Sequence, residues 1–216
     1  MATYYVRPDG NNSNAGTGPA ANQAWQTLAR IVQAGTAFTS GDTVYIAPGT
    51  YRESITTTAT YTSATNFFGD PTASQFQGVT PGIVRITNFL TNDNTAPTSQ
   101  SLWTGVTFNY INIRNIYFDH SSTSGAGIFY TGTGNNSSIK NCMFAGNRNT
   151  SGGNGGSGLG HIALNSCKNL LIENCIGMCA FNAFCIITTT DTDTNVVIRN
   201  CTLLSGNGNG IVVING

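Results

Sequence analysis

Four copies of one short pattern limit what this chain can fold into more than anything else in it. They are Ile113-Arg114-Asn115-Ile116, Ile139-Lys140-Asn141-Cys142, Ile172-Glu173-Asn174-Cys175 and Ile198-Arg199-Asn200-Cys201, spaced by 26, 33 and 26 residues. A second β-type run follows each copy, at Gly127-Ile128-Phe129-Tyr130, His161-Ile162-Ala163-Leu164, Cys185-Ile186-Ile187-Thr188 and Gly210-Ile211-Val212-Val213. Each period therefore carries at least two strands. The longer middle spacing is explained by the Asn/Gly-rich residues 147–156, which bulge from one period without disturbing the next.

Repeats of this length built from short strands and Asn/Gly turns specify a solenoid. Its rungs stack at about 4.8 Å and bury one continuous apolar interior. In the repeated pattern the first Ile points inward. The Asn takes the turn, because Asn tolerates left-handed dihedrals and its side chain can bond up and down the stack. The next residue returns to the core, which puts Ile116, Cys142, Cys175 and Cys201 in one interior column of small apolar groups. The fold expected is all-β, a right-handed parallel β-helix. It forms a single domain, with an N-terminal cap over about residues 1–40 and rungs over about 41–216.

Upstream, Trp25, Leu28, Ala29 and Val32 fall at helical spacing before Gly35, so a short capping helix is expected over residues 25–34. The runs Gly41-Asp42-Thr43-Val44-Tyr45-Ile46-Ala47-Pro48-Gly49-Thr50-Tyr51 and Gly82-Ile83-Val84-Arg85-Ile86 read as strands. The last residues, Ile211-Val212-Val213-Ile214-Asn215-Gly216, stand mid-pattern, which suggests that the native polypeptide continues or that a partner covers this end.

Only 8% of residues are charged, with 9 basic and 9 acidic groups and zero formal net charge. Phosphate recognition needs clustered Lys and Arg, so nucleic acid is not an expected partner. There is no apolar run near 18 residues and no secretory signal after Met1, so membrane insertion is not expected, and either the chain is used without Sec export or a signal was removed and a Met added. The six cysteines contain no C-x-x-C pair and offer no zinc spacing.

The stretch Tyr4-Tyr5-Val6-Arg7-Pro8-Asp9-Gly10-Asn11-Asn12-Ser13-Asn14, the Trp25 segment, and Gly41 through Tyr51-Arg52-Glu53 resemble the entrance of pectate-lyase-like β-helix proteins. The resemblance extends through the Ile-x-Asn-Cys repeats. It implies a right-handed parallel β-helix with a helix over its first rung. Lyases of that superfamily pair a Lys or Arg base with calcium held by several carboxylates, or use an Arg/Lys pair on a uronic acid. This chain has only seven Asp and two Glu.

The variable residue of the motif gives the column Arg114, Lys140, Glu173 and Arg199. It reads either as a basic cleft for an acidic glycan or as rung neighbours pairing with Glu173. Glycoside hydrolysis needs two carboxylates on one face, and Asp119 with Glu173 is the repeat-region pair to test. Candidate catalytic residues are thus Asp119, Glu173, Lys140 and Arg199. His161 reads as a rung-surface residue. No metal site is expected. Calcium would have to use Asp191-Thr192-Asp193-Thr194-Asn195, which lacks the Gly and Glu of an EF-hand loop, or Asp9 through Asn14, whose composition also suits a turn.

If Ile128, Ile162, Ile186 and Ile211 face inward, alternation sends Phe129, Ala163, Ile187 and Val212 outward as an apolar flank. Such a flank implies self-association, with a parallel homotrimer expected. The leading reading is a structural or host-glycan-binding protein of a bacteriophage virion, of tailspike, fibre or decoration type. Its partners would be itself, other virion proteins and a cell-surface polysaccharide. The alternatives are a polysaccharide lyase or glycoside hydrolase acting on an acidic glycan, and a secreted adhesin or surface-layer module.

Overall fold

The computed structural model describes residues 1–33, 35–88, 101–120, 128–131, 133–146, 161–164, 166–178, 183–189, 195–204 and 209–215, without the side chains of residues 120, 129, 146, 183–189 and 209–215. These residues form a parallel β-helix. After a lead strand β1 (Thr3–Val6), the first rung is β2 (Thr43–Ile46), β3 (Gly49–Arg52) and β4 (Ile55–Thr57). The second is β5 (Thr65–Gly69), β6 (Val84–Thr87) and β7 (Trp103–Gly105), and the third β8 (Ile111–Arg114), β9 (Tyr117–His120) and β10 (Ile128–Tyr130). The fourth is β11 (Gly134–Lys140), β12 (Met143–Gly146) and β13 (Ile162–Leu164). The fifth is β14 (Cys167–Glu173), β15 (Ile176–Met178) and β16 (Ala183–Thr189), and the sixth β17 (Val196–Arg199), β18 (Thr202–Leu204) and β19 (Asn209–Asn215).

Strands at the same place in successive rungs pair in parallel and make three sheets. The first runs β1-β2-β5-β8-β11-β14-β17, the second β3-β6-β9-β12-β15-β18 and the third β4-β7-β10-β13-β16-β19. The repeat motif ends each strand of the first sheet from β8 onward. Its Asn sits in the left-handed region, with φ of 59° at Asn115, 52° at Asn141, 53° at Asn174 and 54° at Asn200. Asn141 Nδ2 donates to Asn115 Oδ1 at 3.3 Å and Asn174 Nδ2 to Asn141 Oδ1 at 3.2 Å, so each turn is tied to the one before it. A second short ladder joins Asn169 to Asn136, both also at positive φ.

Directly after this turn the chain makes the strands of the second sheet, which the sequence pattern does not separate from the motif. These strands are three or four residues long, too short to show a period.

Inward positions stack like on like. Phe67, Ile113, Ile139 and Ile172 form one fully buried column in the first sheet, and Ile86, Phe118 and Phe144 one in the second. The Phe118 and Phe144 rings are stacked at 5.0 Å. Trp103 lies edge-on to Phe67 at 5.1 Å, and its indole N–H donates to Thr57 Oγ1, which also bonds the buried Tyr130 hydroxyl. The polar ends of Trp103 and Tyr130 thus have a partner, as burial requires, whereas the buried Tyr61 hydroxyl has none among the described residues.

The first rung is capped, but not by a helix. Residues 25–33 are turns, and Trp25 instead makes a β-bridge to Val6. Side chains outside the segment hold the amides at its start. Asn12 Oδ1 accepts from Gln26 N and Thr27 N, and the Glu53 carboxylate accepts from Leu28 N and Ala29 N, both at 2.9 Å. Of the apolar residues at helical spacing Trp25, Leu28 and Val32 do bury and Ala29 is half-buried, and Ile31, outside that set, is wholly inside. Tertiary hydrogen bonds to Asn12 and Glu53 therefore override the local periodicity.

If Asn141 holds both the turn and the ladder, its replacements should rank. Asn141→Ala adds the left-handed backbone cost of about 1–2 kcal/mol to the lost ladder bonds. Asn141→Gly loses only the bonds, about 1 kcal/mol. Urea unfolding should give Ala less stable than Gly, and equal midpoints would contradict this account.

Candidate functional site

The outward residues of the first sheet make one uninterrupted column, Tyr5, Tyr45, Phe68, Arg114, Lys140, Glu173 and Arg199, paired rung to rung. Its first three members are aromatic and half-buried, with Tyr5 and Tyr45 stacked at 6.1 Å and Tyr45 edge-on to Phe68 at 6.2 Å. Arg114 lies over the Phe68 ring at 3.5 Å, where the cation and the ring face attract. The remaining charges cluster on Glu173, whose Oε1 accepts from Arg199 Nε at 2.7 Å and whose Oε2 is 3.4 Å from Lys140 Nζ. The hydrogen bond from Arg199 holds the Glu173 carboxyl below the usual carboxylate range, and Lys140 adds to this.

A polar column runs beside it on the same face. Asn66 Nδ2 donates to Thr43 Oγ1, Asn112 Nδ2 to Asn66 Oδ1 and Ser138 Oγ to Asn112 Oδ1, at 3.0, 3.1 and 2.8 Å. The face therefore offers ring platforms, two cations beyond the one that Glu173 balances, and a row of oriented amides and hydroxyls.

Asp119 lies elsewhere, on the second sheet. Its Oδ2 accepts from Arg85 Nε at 2.9 Å and pairs with Arg85 Nη2 in a salt bridge whose two side chains are mostly buried. The pair lines an open groove of about 510 Å³ with Pro48, Gly49, Thr50, Ile83 and Tyr117. Lys140, Glu173 and Arg199 are thus brought together as the motif suggests, whereas Asp119 and Glu173 stand on different sheets. Both carboxylates are already held by cations. The sequence pattern missed the aromatic part of the column, which lies upstream of the repeats, and Arg85, whose strand is separated from β9 by β7, β8 and the segments that join them.

The apolar flank of the third sheet needs one correction. β13 pairs with β16 so that Ile162 meets Cys185, Ala163 meets Ile186 and Leu164 meets Ile187. The outward register, set by exposed Thr56 and half-buried Thr104, runs through Phe129, Ala163, Ile186 and Val212. Ile187 shares its register with the buried Tyr130 and Leu164. Aligning Ile186 with Ile162 slips the strand by one residue, which exchanges its faces. Ala163 itself is buried within the chain, and the side chains of Phe129, Ile187 and Val212 lie outside the described residues.

The two stretches considered for calcium differ. Residues 191–194 lie outside the described residues. In the other, Asp9 pairs with Arg7, Asn11 Oδ1 accepts from Ser13 N, and Asn12 Oδ1 accepts from Gln26 N and Thr27 N, so these oxygens serve the turn.

Over residues 15–216 the chain matches the family described as rhamnogalacturonase A/epimerase, pectate lyase-like. The chain belongs to this pectate-lyase-like family. A solved rhamnogalacturonan lyase structure aligns with it at a TM-score of 0.51 and 18% sequence identity, over 100% of this chain and 62% of that one. The likeness shows a shared fold, a right-handed parallel β-helix. No curated protein matches in sequence.

In this pectate-lyase-like chain His161 is no surface residue. It is fully buried, tilted against Phe144 at 5.9 Å, and burial pushes its pKa down to about 4, opposed by a hydrogen bond with the Met178 backbone. A histidine kept neutral by the fold favours unfolding once the unfolded chain can take the proton. Its penalty is absent above about pH 6.5 and grows as pH falls toward about 4, reaching about 3 kcal/mol. Stability measured from pH 7 to 4 should show this fall, and His161→Phe should flatten it. An NMR titration of His161 near pH 6.5 would contradict the assignment.

Proposed function

We propose that this protein binds an acidic polysaccharide along the outer face of its first sheet and does not cleave it. The observation that carries the reading is the continuous column from Tyr5 to Arg199, aromatic at one end and cationic at the other. A pyranose residue advances along an extended glycan by about the rung spacing of ~4.8 Å, so successive sugars can meet successive rungs. Tyr45 offers apolar ring contact to the C–H groups of a pyranose, Arg114 and Lys140 supply charge for uronate carboxylates, and the Asn66–Asn112–Ser138 row supplies donors and acceptors for hydroxyls. Binding is preferred to catalysis because Glu173 and Asp119 are each committed to cations and occupy different sheets.

Family membership favours a second reading, a polysaccharide lyase or hydrolase acting on the same glycan class. One titration separates the two. Polygalacturonate should bind, and a neutral glucan should bind at least tenfold more weakly. Arg114→Ala and Tyr45→Ala should each weaken binding about fivefold to fiftyfold. Unsaturated ends absorbing in the near ultraviolet, or new reducing ends, would establish the enzyme. No difference between charged and neutral glycans would sink the binding site.

For the setting, we propose a homotrimer on a bacteriophage virion, presenting this face to a host polysaccharide, with a secreted or cell-surface adhesin as the alternative. The apolar identities of Phe129, Ile186 and Val212 along the outward register support lateral association through the third sheet. Light scattering should give three copies for the wild type. Ile186→Asp should give a folded monomer, while Ile187→Asp, at an inward register position, should lower stability by several kcal/mol instead. A wild-type monomer would overturn the trimer.

A further inference from the structure

The interior thiols are stacked, not scattered. Ile176 N donates to the Cys142 carbonyl and Thr202 N to the Cys175 carbonyl, both at 2.9 Å, so Cys142, Cys175 and Cys201 occupy equivalent places on three adjacent rungs. Their Cα atoms are then about one rung, ~4.8 Å, apart. That lies inside the range of roughly 4.4–6.8 Å that a disulfide spans. All three are free thiols. Each also points its Sγ at the carbonyl two residues back, Lys140 at 3.2 Å, Glu173 at 3.4 Å and Arg199 at 3.3 Å, which gives the three side chains one common direction.

The members of the column differ in access. Cys142 and Cys175 are buried, at 2% and 0% exposure, and Cys201 is only partly covered. They also differ in chemistry. Cys175 sits between the other two thiols, and hydrogen bonding, foremost with Cys142, lowers its pKa against the opposing effect of burial. Burial raises the Cys142 thiol and also that of the partly covered Cys201, and it pushes Cys167, away from this column, up to about 12. The thiolate is the attacking species in disulfide exchange, so the central thiol is the better nucleophile and the outer one the better entry point.

We propose that Cys201 and Cys175 form a redox-responsive pair that closes a cross-rung disulfide when the protein meets a small-molecule disulfide such as oxidised glutathione. In the first step the Cys201 sulfur displaces one glutathione thiolate, giving a Cys201–glutathione mixed disulfide. In the second the Cys175 thiolate attacks Cys201 Sγ, the mixed S–S bond breaks and a second glutathione leaves. Two protein thiols are oxidised to one disulfide, and one glutathione disulfide is reduced to two thiols that carry the two protons. Cys175 acts as the resolving group, and closure staples β17 and β18 to the rung beneath them. This is independent of the glycan face.

The folded protein is incubated with oxidised glutathione and digested without reduction, and its peptides are weighed. A Cys175–Cys201 peptide pair lighter by two hydrogens, with no glutathione retained, is expected. Cys175→Ser should trap glutathione on Cys201, and Cys201→Ser should leave Cys175 reduced. Circular dichroism confirms that each variant is folded before treatment. Glutathione retained on wild-type Cys201, an unmodified Cys201, or a link from Cys142 to Cys175 would each overturn the assignment.

Discussion

The left-handed asparagine turn is the constraint on which the rest of this molecule depends. At Asn115, Asn141, Asn174 and Asn200 the chain must leave the first sheet and enter the second through the same bend. In the first three of these turns the side chains are bonded into a vertical row. A turn repeated with the same geometry fixes the register of the strands on either side of it. That register aligns Ile113 with Ile139 and Ile172 inside, and Arg114 with Lys140 and Glu173 outside. The interior and the candidate binding face are two consequences of one local conformation.

Much of this was legible in the sequence, and the limits were physical. Ile-x-Asn-(Ile/Cys) reported the first sheet, its inward and outward faces and the turn, because each position of the pattern is set by local chemistry. The second sheet left no such trace, its strands being too short to show alternation. The Trp25 segment showed the right residues to bury but the wrong conformation, since Asn12 and Glu53 compete for its amides from a distance in sequence that no window captures. The Ile186/Ile187 face was misassigned by a single residue because Cys185, Ile186 and Ile187 are all apolar and alternation alone cannot place them.

The candidate site divides in the same way. Lys140, Glu173 and Arg199 share a motif position, so their meeting could be read directly. Tyr45 and Phe68 belong to rungs that lack the Ile-x-Asn-(Ile/Cys) motif, and Phe68 precedes Arg114 by 46 residues, the length of a rung carrying two long connections. Arg85 is hidden for the same reason: its partner Asp119 lies 34 residues on. Contacts between neighbouring rungs are close in space whatever the length of chain between them, and only where that length is constant does the sequence announce them.

The strap formed by Glu53 has a consequence for how the molecule is made. Its carboxylate reaches back only 24 and 25 residues to Ala29 and Leu28, so the lid over the first rung is complete once about the first quarter of the chain exists. From then on rungs add at the opposite edge, and each new rung finds a finished template with its aromatic or aliphatic stack already in place. A ribosome delivering this chain from its amino terminus therefore supplies the rungs in the order in which the solenoid can add them.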